Sequence, residues 1–83
     1  MPTRRPRGHL RNKSTAQVRR LLLEYGFHLV KPGPHERWEK EEAGRRRVVI
    51  VPAGRTAIAP KTLASILEQA GISKDEARRF WAE

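Results

Sequence analysis

The 83-residue sequence contains no cysteine, which excludes a disulfide framework and any thiolate metal site. Its three histidines are scattered along the chain, so no metal site and no cofactor is expected. No apolar run approaches the roughly 20 residues that a membrane helix needs, and the basic N-terminus lacks the apolar segment of a secretory signal. These absences predict a soluble protein of a reducing cytoplasm. Acids are also scarce: 9 Asp and Glu stand against 18 Lys and Arg, a formal net charge of +9. A surplus of that size on so short a chain points to a polyanionic partner, nucleic acid first. The length allows one domain, close to the size at which a single core is only just sufficient.

Residues 1–13 hold no acid, and Arg4, Arg5, Arg7, Arg11 and Lys13 are interleaved with Pro2, Pro6 and Gly8. No periodic apolar face can form there, so a flexible basic arm is expected over 1–13, with Arg4, Arg5 and Arg7 attracting phosphate by counterion release. A single domain follows over 14–83. Ser14 or Thr15 suits an N-cap, and Val18, Leu21, Leu22 and Tyr25 recur at the spacing of one helix stripe before Gly26. The first helix is therefore expected over 15–25. Leu63, Ile66, Leu67 and Ala70 repeat the pattern between Pro60, which suits a first helical position, and Gly71. Ser73-Lys74-Asp75-Glu76 has the form of a capping box, and Ala77, Phe80 and Trp81 behind it predict a short third helix that closes the core edge.

Between the first two helices the pattern changes to strands. Phe27 to Lys31, His35 to Glu41, and Arg45 to Val51 are separated by Pro32-Gly33-Pro34 and Glu42-Ala43-Gly44, and Pro52 stops the last. This order predicts an α+β protein: αβββα, a three-stranded antiparallel sheet with two helices packed on one face and a short C-terminal third helix. Register decides where His35 points. With Phe27, Leu29 and Trp38 on the core side, His28, His35 and Arg37 share the opposite face, provided that the first turn holds two or four residues. Glu36 and Glu39 are expected as solvent-side charges offsetting Arg37 and Arg47.

The chain resembles the HicA toxin family, small mRNA interferases with a double-stranded-RNA-binding-domain-like fold. The resemblance rests on Leu22-Leu23-Glu24-Tyr25-Gly26-Phe27, on Gly33-Pro34-His35 with Trp38 three residues on, on Val48-Val49-Ile50-Val51-Pro52, and above all on Pro60 to Ile72. The family usually reads Gly-Ser-His at the hairpin, where this chain has Pro34. Many members carry a histidine soon after the Val-Pro of the third strand, where this chain runs Ala53-Gly54-Arg55. The resemblance implies the toxin of a toxin–antitoxin pair, a metal-independent endoribonuclease that cleaves mRNA with His35 as its catalytic histidine. It also implies an HicB-like antitoxin as protein partner.

Metal-free RNA cleavage needs a base for the 2′-hydroxyl proton, an acid for the leaving oxygen and positive charge for the phosphorane. An imidazole can serve as base or acid, contributing roughly 10²–10⁴-fold. For the second acid/base, His28 is the first candidate and Lys31 the next. Arg37 or the cluster Arg45, Arg46 and Arg47 can supply the positive charge through bidentate contacts. Two other readings use the same residues differently. One is a non-catalytic RNA- or nucleic-acid-binding module of the same fold. The other is an interaction protein that uses an exposed sheet edge and Phe80-Trp81.

Overall fold

Both helical stripes read from the sequence join one core, Tyr25 only in part. A computed structural model of the chain describes residues 10–83, and in it helix α1 spans Thr15–Glu24 and α2 spans Pro60–Ala70. Val18, Leu21 and Leu22 of α1, Leu63, Ile66 and Leu67 of α2, and Val49 and Val51 of the sheet belong to one buried core. Ser14 and Gln17 cap α1 reciprocally: the Ser14 hydroxyl accepts from the Gln17 N–H and the Gln17 side chain accepts from the Ser14 N–H. Gly26 and Gly71 follow the two helices with φ of 90° and 73°, a region that L side chains seldom enter. Helix α3, Lys74–Trp81, begins with the expected capping box between Ser73 and Glu76.

Strands β1 (His28–Lys31), β2 (His35–Glu42) and β3 (Arg45–Pro52) form an antiparallel sheet in the order β1-β2-β3. Ala43 and Gly44 make the β2–β3 turn with φ of 52° and 76°; positive φ at both central residues matches the twist of the flanking strands. The first turn differs from expectation. It holds three residues, Pro32 to Pro34, which alone would send Trp38 to the wrong face. A register shift between Leu29 and Lys31 takes up the odd residue: Leu29 pairs with Trp38, and Lys31 with Arg37. The bulge therefore restores the parity that burial of the indole requires. Trp38 is 3 % exposed, and by register His28, His35 and Arg37 are on the opposite face of the sheet from it.

Three further expectations change. Leu29 is on the core side by register yet 42 % exposed, because the helices sit over β3 and leave β1 largely uncovered. Of the aromatic pair on α3, Trp81 packs against the core while Phe80 is exposed; adjacent helical residues point about 100° apart, so one stripe cannot take both. Leu10 and Lys13, assigned from the sequence to the arm, are buried. Lys13 pairs with Glu83, lies 5.0 Å from the Trp81 ring centroid, and its carbonyl accepts from the Ile58 N–H at 2.7 Å. Burial, and then Arg11, lower its pKa. One apolar residue among arginines carries no periodicity, so its docking was not readable locally. Arg4, Arg5 and Arg7 lie outside the described residues.

Candidate active site

The start of β2 and the end of β3 are register partners, His35 opposite Pro52. The loop leaving β3 must therefore pass beside His35. It is held there at both ends: the Ala53 N–H donates to the Pro34 carbonyl at 2.9 Å, and Thr15 grips Pro52 and Arg55. The Thr15 hydroxyl donates to the Pro52 carbonyl at 2.8 Å and accepts from the Arg55 N–H at 2.9 Å, while the Thr15 N–H donates to the Arg55 carbonyl at 2.9 Å. Thr15 is thus the buried first residue of α1 and also the clamp that sets the Arg55 backbone. The result is an open cleft of about 360 Å³ with His35, Arg55 and Thr62 on its walls and Ile50 and Ile58 as its apolar part. None of its lining residues is acidic. The Arg55 guanidinium has no carboxylate partner among the described residues, so its charge is available to an incoming anion.

Beneath His35 the next residue takes the opposite side of the strand. Glu36, expected at the solvent face, is 3 % exposed. Arg19 Nε donates to its Oε1 at 3.1 Å, Arg19 Nη2 donates to Oε2, and Trp38 Nε1 donates to Oε1 at 3.0 Å. The Arg19 hydrogen bond holds the Glu36 carboxyl below the usual carboxylate range; burial opposes this, and the Trp38 bond adds to it. Three donors on two oxygens leave no lone carboxylate in the core. The pair ties the first turn of β2 to α1 and so fixes the strand end that carries His35.

The remaining candidates from the sequence separate into two groups by distance. His28 shares the face of His35 but pairs with Glu39, four residues along β2, which at about 3.4 Å per residue puts the two backbones about 14 Å apart. The two imidazoles are not brought together. Arg37 is two residues from His35 on the same face, and its Nε donates to Glu39 Oε2 at 2.7 Å. Lys31 lies opposite Arg37 and has no ion-pair partner among the described residues. Arg45, Arg46 and Arg47 sit at the closed end of the β2–β3 hairpin, opposite Glu42, Glu41 and Lys40, roughly 17–24 Å from His35. Arg46 lies 3.7 Å from Glu39 and 3.6 Å from Glu41. Arg47 bonds Glu42 at 3.0 Å, and its Nη1 reaches the Gln69 carbonyl at 3.4 Å. It lies so close over Gly71 that an added Cβ there would meet the guanidinium carbon at 2.6 Å. Arg47 thus covers the C-terminal end of α2, where a cation is favoured.

Arg55 and Thr15 were the residues that sequence periodicity missed. A signal for Arg55 did exist. In an antiparallel hairpin, whatever follows the second strand must lie beside the start of the first. Among the described residues no three His, Asp or Glu side chains gather as a metal site, and no helix is long and apolar enough to cross a membrane. Residues 15–72 match the family described as the HicA toxin of bacterial toxin–antitoxin systems. No curated protein matches the chain.

Proposed function

Because the chain belongs to the HicA toxin family, we propose that it is an endoribonuclease that cuts single-stranded mRNA without a metal, using His35 as general acid/base. The observation that carries this reading is the open cleft, with no acid in its lining, that His35 shares with Arg55, which has no ion-pair partner among the described residues. In the proposed reaction His35 removes the 2′-hydroxyl proton as the 2′-oxygen forms its bond to the neighbouring phosphorus. The phosphorus–5′-oxygen bond breaks, and water returns a proton to the 5′-oxygen. The products are a 2′,3′-cyclic phosphate and a free 5′-hydroxyl. Arg55 spans two non-bridging oxygens and offsets the charge that grows on the phosphorane, a contact stronger in the transition state than in the ground state.

His28 has no part in this step, because a base and an acid acting on one phosphate must both lie within hydrogen-bond reach of it. The toxin–antitoxin family implies a protein partner, which we read as an HicB-like antitoxin that covers the His35 cleft in the cytoplasm. A second reading, RNA binding without cleavage, is favoured by the single imidazole in the cleft and by Pro34 at the hairpin position where the resembling family has a serine.

Incubation of the purified chain with single-stranded RNA, beside its His35→Ala variant, separates the two readings. Cleavage that falls by about 10²–10⁴-fold in the variant, with a cyclic phosphate end in the product, is the expected result. Equal cleavage by both proteins removes His35 from the chemistry. Intact RNA together with strongly salt-dependent binding selects the second reading.

A further inference from the structure

A second groove adjoins the His35 cleft and shares Ala59 with it. It has a volume of about 430 Å³ and lies between Leu10, the first turn of α2 and the first residue of α3, with Leu10, Pro60, Leu63 and Ala64 as its apolar lining and Lys61 and Lys74 as its cations. We propose that this groove is a second RNA subsite, which holds a nucleotide flanking the cleaved bond with the base on the apolar lining and its phosphates on the two lysines. The inference rests on the reading of the His35 cleft as an RNA site, and it adds where the strand goes on leaving it.

Three observations carry the proposal. The first is charge: neither lysine has a carboxylate partner among the described residues. The acids that follow Lys74 are engaged elsewhere, Asp75 with Arg78 at 3.0 Å and Glu76 with the Ser73 N–H at 2.8 Å. The second is shape, since the volume lies in the range of about 300–1,000 Å³ typical of small-ligand pockets, and a planar base suits an apolar lining as phosphates suit its cations. The third is continuity, because a strand seated at His35 and Arg55 needs only to cross Ala59 and Pro60 to enter the groove. Leu10 at its border is also the residue into which the run Arg4, Arg5 and Arg7 leads in sequence. The open sheet face offers no such path, for its arginines Arg37 and Arg46 are already paired with Glu39 and Glu41.

The test compares binding of a labelled single-stranded RNA of about ten nucleotides by the His35→Ala chain, which keeps the RNA intact, and by the same chain carrying Lys61→Gln and Lys74→Gln. Lys61 is exposed and Lys74 half-buried, neither has an ion-pair partner among the described residues, and thermal unfolding confirms that the fold is kept. Affinity is expected to fall about tenfold. The slope of log affinity against log salt is expected to become shallower by about 1.4, two contacts at 0.7 each. Lys61→Arg with Lys74→Arg should restore both. Unchanged affinity and slope overturn the subsite. If the unsubstituted chain cuts RNA in that case, the nuclease reading survives alone. If charge removal weakens binding but the unsubstituted chain cuts nothing, the subsite survives alone. A His35→Ala chain with no RNA affinity overturns both.

Discussion

The two ends of the β2–β3 hairpin carry arginine in opposite circumstances. At the closed end Arg46 and Arg47 stand among Glu39, Glu41 and Glu42, each within 4 Å of at least one carboxylate. At the open end Arg55 stands with His35 over a cleft that no acid lines. Cation density in the sequence peaks at the closed end, yet most of that charge is already offset by neighbours. A phosphate bound there would have to displace a carboxylate, which lowers the net gain. Among the described residues Arg55 has no such competitor, so a single arginine there offers more than the cluster does.

This comparison breaks most directly in paired substitutions. Arg55→Ala should lower RNA cleavage by about 10²-fold, the usual cost of removing one donor to a developing charge, whereas Arg37→Ala and Arg46→Ala should each cost less than about fivefold. A larger loss from either sheet-face arginine would reverse the roles given to the two ends. The measurement is kcat/KM on a labelled single-stranded RNA. A kcat-dominated loss at Arg55 would sharpen the assignment to the transition state.

Stability gives the next contrast, because Glu36 supports the open end from below. Glu36→Gln should destabilise the fold by about 1.5–3 kcal/mol, the range for hydrogen bonds to a charged group, as read by urea unfolding at neutral pH. The native pKa of Glu36 is lowered, so the stabilisation is full above the unfolded carboxylate pKa and is lost as pH falls through the native one. Wild type and variant should therefore converge in stability in strong acid, below the usual carboxylate range. A gap that persists there would show that packing, not ionisation, accounts for the loss.

The smallest effect is expected at His28. His28→Ala should change cleavage by less than about twofold, since its backbone is about 14 Å from that of His35. A loss comparable to that of His35→Ala would mean that the hairpin rearranges on RNA to bring the two imidazoles together.

Much of the architecture was legible locally. The stripes of α1 and α2, the glycines that end them, the Ser73–Glu76 capping box and the alternation around Trp38 all act over one or two turns or strand pairs. The face of His35 was legible too, although by an incomplete route: parity was expected from an even turn, and the protein reaches it with an odd turn and a bulge. Burial of Trp38 constrains parity, and parity alone does not say how it is met. The polar contacts were less legible. Glu36 reads as one of several acids in His35-Glu36-Arg37, and only the approach of Arg19 from α1 makes its burial favourable.

The sequence by itself determined the helices and the order of strands, because short-range periodicity and turn chemistry decide them, whereas the side taken by His35 also needed the bulge between Leu29 and Lys31. Tertiary structure alone decided which charges are available. Whether an arginine is free depends on carboxylates brought to it from other elements, and Arg55 shares a cleft with His35 because Thr15, forty residues away in the chain, and the Pro34 carbonyl hold the loop there. The contacts that give a cation its function act across the fold, where spacing along the chain carries little information.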